Sequence, residues 1–198
     1  MRVYNGEVSG RVRRELRSWA GIVISIPMIA ALLLFVSSYR LTAEPAPQVQ
    51  ATDAGELLAV TGEVKQELHL TAADWNALPR TKVTAKGEHD PQPRVYEGVA
   101  LKDLLAKAGV PTGMDMHGKG MTLGVVAGAA DNYHVLFSLG ELDASFGNAA
   151  ILVADRADGQ PFGPNAGPLR LIVVGDKLGA RWVRMLKSLT VVQVAPAK

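Results

Sequence analysis

Gly167-Pro168-Leu169-Arg170-Leu171-Ile172-Val173-Val174-Gly175-Asp176-Lys177-Leu178-Gly179-Ala180-Arg181-Trp182-Val183-Arg184-Met185-Leu186 is the stretch whose reading decides the fold. Leu169 to Val174 is a short apolar run between a Gly-Pro pair and Gly175, the pattern of a buried strand. A loop carrying Lys177, Arg181 and Arg184 follows. Gly175 and Gly179 let backbone amides come close to a ligand there. Cations beside free amides predict a cradle for an anion or a phosphate. The same residues also read as a solvated basic loop with Arg181 in a structural ion pair, and both readings stand at this point.

Working upstream, Ile151–Ala154 and Leu169–Val174 are apolar runs on either side of Asp158-Gly159, which predicts a hairpin with a long loop. Met121–Ala127 and Tyr133–Phe137 read as strands, and Ser138 with Glu141 has the spacing of a capping box. Leu101, Leu104, Leu105 and Ala108 fall at helical spacing, with Gly109 and Pro111 closing the segment. Thr81–Ala85 alternates as a strand does. Before it, Thr71 and Asp74 mark a helix start and Pro79 its stop. Leu57–Thr61 reads as a strand turning at Gly62, with Val64–Leu70 as its neighbour, and Leu189–Val194 as the last strand. Helices and strands do not alternate regularly, so the expected class is α+β, one strand-rich domain over residues 55–198.

The first 54 residues are of a different kind. Trp19 to Val36 carries no charge over 18 residues, the lower end of what spans a bilayer, and Trp19 and Tyr39 flank it where interfacial aromatics belong. Residues 19–39 are therefore expected to form a transmembrane anchor. Residues 1–18 hold five arginines against Glu7 and Glu15, which leaves this tail at +3 and, out of a chain total of +2, the remainder at −1. By the positive-inside tendency the tail is cytoplasmic and the domain periplasmic, or otherwise outside the inner membrane. A cleaved signal peptide is the rival; the long basic segment, the long apolar run and the lack of an A-x-A site favour an uncleaved anchor. Arg13-Arg14 weakly resembles a twin-arginine export signal. Residues 40–54, rich in Pro, Ala and polar residues, read as a linker. The expected partners are the membrane and a membrane protein within it. No basic patch of the domain points to nucleic acid.

The chain has no cysteine, which excludes disulfides, a thiol nucleophile and thiolate-bound metal. No phosphate-loop, dinucleotide, nucleophile-elbow or zinc-protease spacing occurs. The histidines are His69, His89, His117 and His134, none paired at metal-ligand spacing. His69 and His134 sit in predicted strands and read as surface or packing residues. His89, in the polar loop Gly87-Glu88-His89-Asp90-Pro91, is a candidate site residue. His117 lies in the loop Met114-Asp115-Met116-His117-Gly118-Lys119-Gly120 and reads as a solvated loop residue.

The opening stretch resembles the C-terminal signature of the sulfite oxidase-type molybdopterin-binding domain, in which a G-P-L-R strand leads into P-G-x-x-G-A-R-x-V-K-W-L. Upstream pieces fall in the family's order: Leu58 to Val64, Leu70-Thr71 with Asp74 and Leu78-Pro79, Tyr96 to Leu105, Ala130 to Tyr133, and Ala150 to Ala154. The resemblance implies a mixed α+β sulfite oxidase-type fold. It also implies molybdopterin as the cofactor to consider, with Lys177, Arg181, Arg184 and His89 as the residues facing it. In the family a cysteine thiolate, shortly after the strand matched by Thr81–Ala85, binds molybdenum. Lys86-Gly87-Glu88 stands there instead, and none of these side chains supplies a soft sulfur ligand. Neither a catalytic residue nor a metal ligand is assigned. The readings left are a degenerate binding, sensing or accessory module, an oxidoreductase holding molybdopterin without protein sulfur, and a scaffold whose basic loop meets lipid or a partner.

Overall fold

Ten strands make two five-stranded sheets in the computed structural model, which describes residues 55–194. The expected basic tail, anchor and linker lie outside these residues. Among the described residues no helix is long and apolar enough to cross a membrane.

The first sheet has the order β2-β1-β10-β5-β6. It comprises β1 (Leu58–Gly62), β2 (Leu68–Leu70), β5 (Leu123–Ala129), β6 (His134–Ser138) and β10 (Leu186–Gln193). β1 and β10, the two ends of the domain, pair in parallel, with Val60 opposite Leu189; the other neighbours are antiparallel. The second sheet is built on β7 (Ile151–Ala157), which is buried at every position. β4 (Arg94–Ala100) lies on one edge of β7, with β3 (Thr81–Ala85) beyond it. On the other edge, β8 (Gln160–Pro161) and β9 (Arg170–Val173) occupy successive halves.

The expected pairing of 151–154 with 169–174 is present, Ile151 lying opposite Val173 and Ala154 opposite Arg170. The Asp158-Gly159 turn, however, joins β7 to the short β8 and not to β9. Both residues have positive φ, +51° and +77°, which is what a two-residue primed turn requires. The chain then loops out and returns as β9. The expected strand over 64–70 is confined to Leu68–Leu70. β4 was not anticipated as a strand, because Glu97 and Gly98 interrupt its apolar pattern. Gly98 is there for contact: a Cβ would fall 1.9 Å from the Val153 carbonyl oxygen, at the bulge where β4 meets β7.

Three short helices complete the domain: α1 (Ala72–Asn76), α2 (Leu101–Lys107) and α3 (Leu139–Leu142). The predicted caps hold α1 and α3. Thr71 and Asp74, and likewise Ser138 and Glu141, exchange side-chain and backbone hydrogen bonds as reciprocal capping boxes. Leu58, Val60, Val125 and Leu189 from one sheet, Val99 and Leu171 from the other, and Leu104 of α2 belong to one apolar cluster. Within it a single carboxylate, Asp155, is fully buried. It accepts from the Trp75 indole at 2.6 Å, from Arg80 at 2.7 Å and from Arg156 at 2.8 Å, tying α1 to β7.

Candidate functional site

The loop from β3 to β4 and the segment from β9 to β10 face each other across a cleft of about 440 Å³. From the first come Gly87, Glu88, His89 and Asp90; from the second side come Arg170, Gly179, Trp182 and Arg184. The first loop is closed on itself: the Asp90 amide donates to the Gly87 carbonyl, and the Gly87 amide donates to the Asp90 carboxylate. The Tyr96 hydroxyl reaches the same carboxylate at 3.2 Å. Burial first, and the Asp90 charge after it, push that phenol above its ordinary pKa.

Trp182 forms the floor. It is buried, donates its indole N–H to the Val173 carbonyl at 3.1 Å, and stands edge-on to Tyr96 with ring centres 5.6 Å apart. The Arg170 guanidinium lies over its ring at 5.5 Å. Arg170 is the last residue of the G-P-L-R run and the first of β9. Its Nε is buried and has no hydrogen-bond partner. Desolvation pulls its pKa down, against the attraction of Tyr96 and Asp90. A buried guanidinium N–H without an acceptor is uncommon, and the Arg170 side chain also lines the cleft. An adjoining hollow of about 190 Å³ shares Gly179, Trp182 and Arg184 and adds Tyr133, whose hydroxyl donates to the Ala180 carbonyl.

The four residues named from sequence do not gather in one place. His89 and Arg184 line the cleft; Lys177 and Arg181 are not among its lining residues. Arg181 donates twice to Asp176, at 2.8 and 2.7 Å, and once to Glu141 at 2.8 Å, while its guanidinium covers the Phe137 ring. The hydrogen bonds to Asp176 and then Glu141 hold its pKa above the ordinary arginine value. Of the two readings of this loop, the structural ion pair describes Arg181. The amide expected to meet a ligand is engaged as well: Gly179 N–H donates to the Glu88 carboxylate at 2.9 Å, linking the two sides of the cleft. Arg170, Glu88 and Trp182 escaped the sequence reading as site residues. Arg170 had a signal, since an arginine in an apolar strand is rarely buried without a partner.

A larger share of apolar wall belongs to a groove of about 220 Å³ between α2 and α3, with Leu105, Val110, Met116 and Leu142 in it. Its charged lining residues are Lys102, Asp103 and Asp143, two of them acidic, so the Arg170 cleft with its two arginines is the candidate for an anion.

Fold and cleft define a strand-rich α+β domain of the sulfite oxidase type. The sequence profile of the oxidoreductase molybdopterin binding domain matches residues 92–197, more than half of the chain, and the chain belongs to that family. Among solved structures it is similar to the sulfane dehydrogenase SoxCD from Paracoccus pantotrophus, with a TM-score of 0.53 and 25% identity. That match covers 68% of this chain but only 37% of the other. No curated protein sequence matches the chain significantly.

The residues present do not fit a molybdenum centre held through protein sulfur. The chain has no cysteine. Glu88, in the loop that follows Thr81–Ala85, is turned onto the Gly179 amide. Among the described residues no three His, Asp or Glu side chains are grouped to hold a metal ion.

Proposed function

We propose that this domain is a metal-free member of its family, working as an anion-binding module and not as an oxidoreductase. The observation that carries the reading is the Glu88 carboxylate on the Gly179 amide, a protein anion seated where the sequence predicts an anion cradle. With Arg181 also neutralised by Asp176 and Glu141, the protein's own carboxylates serve the groups that a phosphorylated cofactor would need. What lines the cleft for a small oxyanion is the Arg170 guanidinium and the exposed Arg184, with His89 beside them. The apolar segment 19–39 and the basic tail before it support presentation of this cleft outside the inner membrane, next to a membrane partner.

Molybdenum and pterin content decide the matter, measured on the full chain purified in detergent from a host that makes the cofactor. The expected result is a folded protein without either, and with sulfate binding that Arg170→Gln weakens. A near-stoichiometric molybdenum signal would overturn the proposal in favour of an oxidoreductase that holds molybdopterin without protein sulfur.

A further inference from the structure

Three of the chain's six methionines fall between positions 114 and 121, around His117. Two of them face water: Met114 is 93% exposed and Met121 is 49% exposed, whereas Met116 is buried at 2%. Isolated exposed apolar residues are ordinary on protein surfaces. Two exposed thioethers, three positions before and four after an exposed imidazole on one anchored segment, are a different arrangement.

The segment is held from beneath. The Asp143 carboxylate accepts the Gly113 N–H at 2.7 Å, the Met116 side chain is in the core, and Gln193 Nε2 donates to Thr122 Oγ1 at 3.0 Å. Two 3₁₀ turns, Gly113–Asp115 and Gly118–Thr122, flank His117, and its carbonyl accepts the Gly120 N–H. The imidazole lies against the first turn, with Nδ1 2.7 Å from the Met114 carbonyl oxygen. A carbonyl only accepts, so Nδ1 carries the proton and the neutral ring presents its lone pair on Nε2. A histidine oriented in this way, donating one N–H to a backbone carbonyl with the other nitrogen free, is the arrangement that metal-binding histidines use.

From this we infer that Met114, His117 and Met121 form a surface site for a soft monovalent cation, Cu(I) or its analogue Ag(I). Thioether sulfur selects soft ions; calcium and magnesium require oxygen ligands, and the described residues group no carboxylates that would suit them. The chain has no thiolate to compete, and among the described residues these two thioethers with one imidazole make a soft ligand set. The site is separate from the Arg170 cleft and does not rest on the reading of that cleft.

The test uses the full chain in detergent, kept anaerobic, with Cu(I) partitioned between the protein and a coloured Cu(I) chelator. The protein is expected to withhold one equivalent. Loss of an outer partner of a metal site already costs about 10–100-fold in affinity, so Met114→Leu, Met121→Leu and His117→Gln should each weaken retention by at least about tenfold. His134→Gln, an exposed histidine on β6, should leave it unchanged. Methionine-to-leucine changes conserve volume, and far-UV circular dichroism verifies that the variants fold. With Ag(I), the ε-methyl ¹³C signals of Met114 and Met121 should shift while that of the buried Met116 stays. No copper withheld from the chelator, or retention that survives Met114→Leu/Met121→Leu and depends on His117 alone, would overturn the assignment.

Discussion

Replacing Asp155 by alanine probes how the second sheet is held together. The side chain is fully inaccessible and accepts from three donors, of which the Trp75 indole is wholly buried and the Arg156 side chain is 7% exposed. Alanine leaves both donors in place without their acceptor. Removing one partner of a buried ion pair costs about 3–5 kcal/mol, since the remaining charge is uncompensated. An orphaned buried N–H costs about 1–3 kcal/mol. The two losses share one carboxylate and do not add in full, so a total of about 4–6 kcal/mol is expected. Against a typical domain stability of about 5–15 kcal/mol this is a large part of the whole. At about 2–4 °C per kcal/mol it lowers the melting temperature by roughly 10–20 °C. Trp75→Phe removes the indole donor and shrinks a fully buried ring but leaves the carboxylate its two arginines, so it should cost about 2–3 kcal/mol, less than Asp155→Ala. The assay is thermal and urea unfolding of the full chain in detergent, followed by circular dichroism. An Asp155→Ala melt within about 3 °C of wild type would refute the reasoning, and so would a Trp75→Phe variant as unstable as Asp155→Ala.

Thr71→Ala should destabilise the domain by about 1 kcal/mol, because it deletes the hydroxyl that accepts the Asp74 N–H and opens the capping box of α1; thermal unfolding reads this directly. Asp158 supplies a pH-dependent contribution. Its side-chain hydrogen bond from Arg94 and the Val95 amide hold its carboxyl below the ordinary aspartate range. The folded form therefore gains stability that is complete above the unfolded pKa and is lost as pH falls through the lowered folded value. Asp158→Asn should accordingly lose less stability than wild type between about pH 5 and pH 2. Parallel acid limbs for the two proteins would show that the pairing does not matter to stability.

The Thr71 cap, the Ser138–Glu141 capping box, the strand over 81–85 and the helix closed by Gly109 could be read from the sequence, since each depends on residues within a few positions of one another. The absence of a thiolate ligand was equally plain, as composition alone settles it. Strand β4 was hidden, because Gly98 is explained only by the Val153 carbonyl packed against it from another strand. The free and the occupied cations were hidden for a related reason. Arg181 is held by Asp176, five positions away, as the ion-pair reading expects, but also by Glu141, 40 positions away, and the Gly179 amide is held by Glu88, 91 positions away. Local sequence determines where a backbone turns and where its cations stand along the chain. Whether a cation or amide is left for a ligand depends on which distant carboxylates the fold brings within hydrogen-bond reach. That is why Arg170, in the middle of an apolar run, lines the cleft with Arg184, while Arg181 of the basic loop is held by carboxylates.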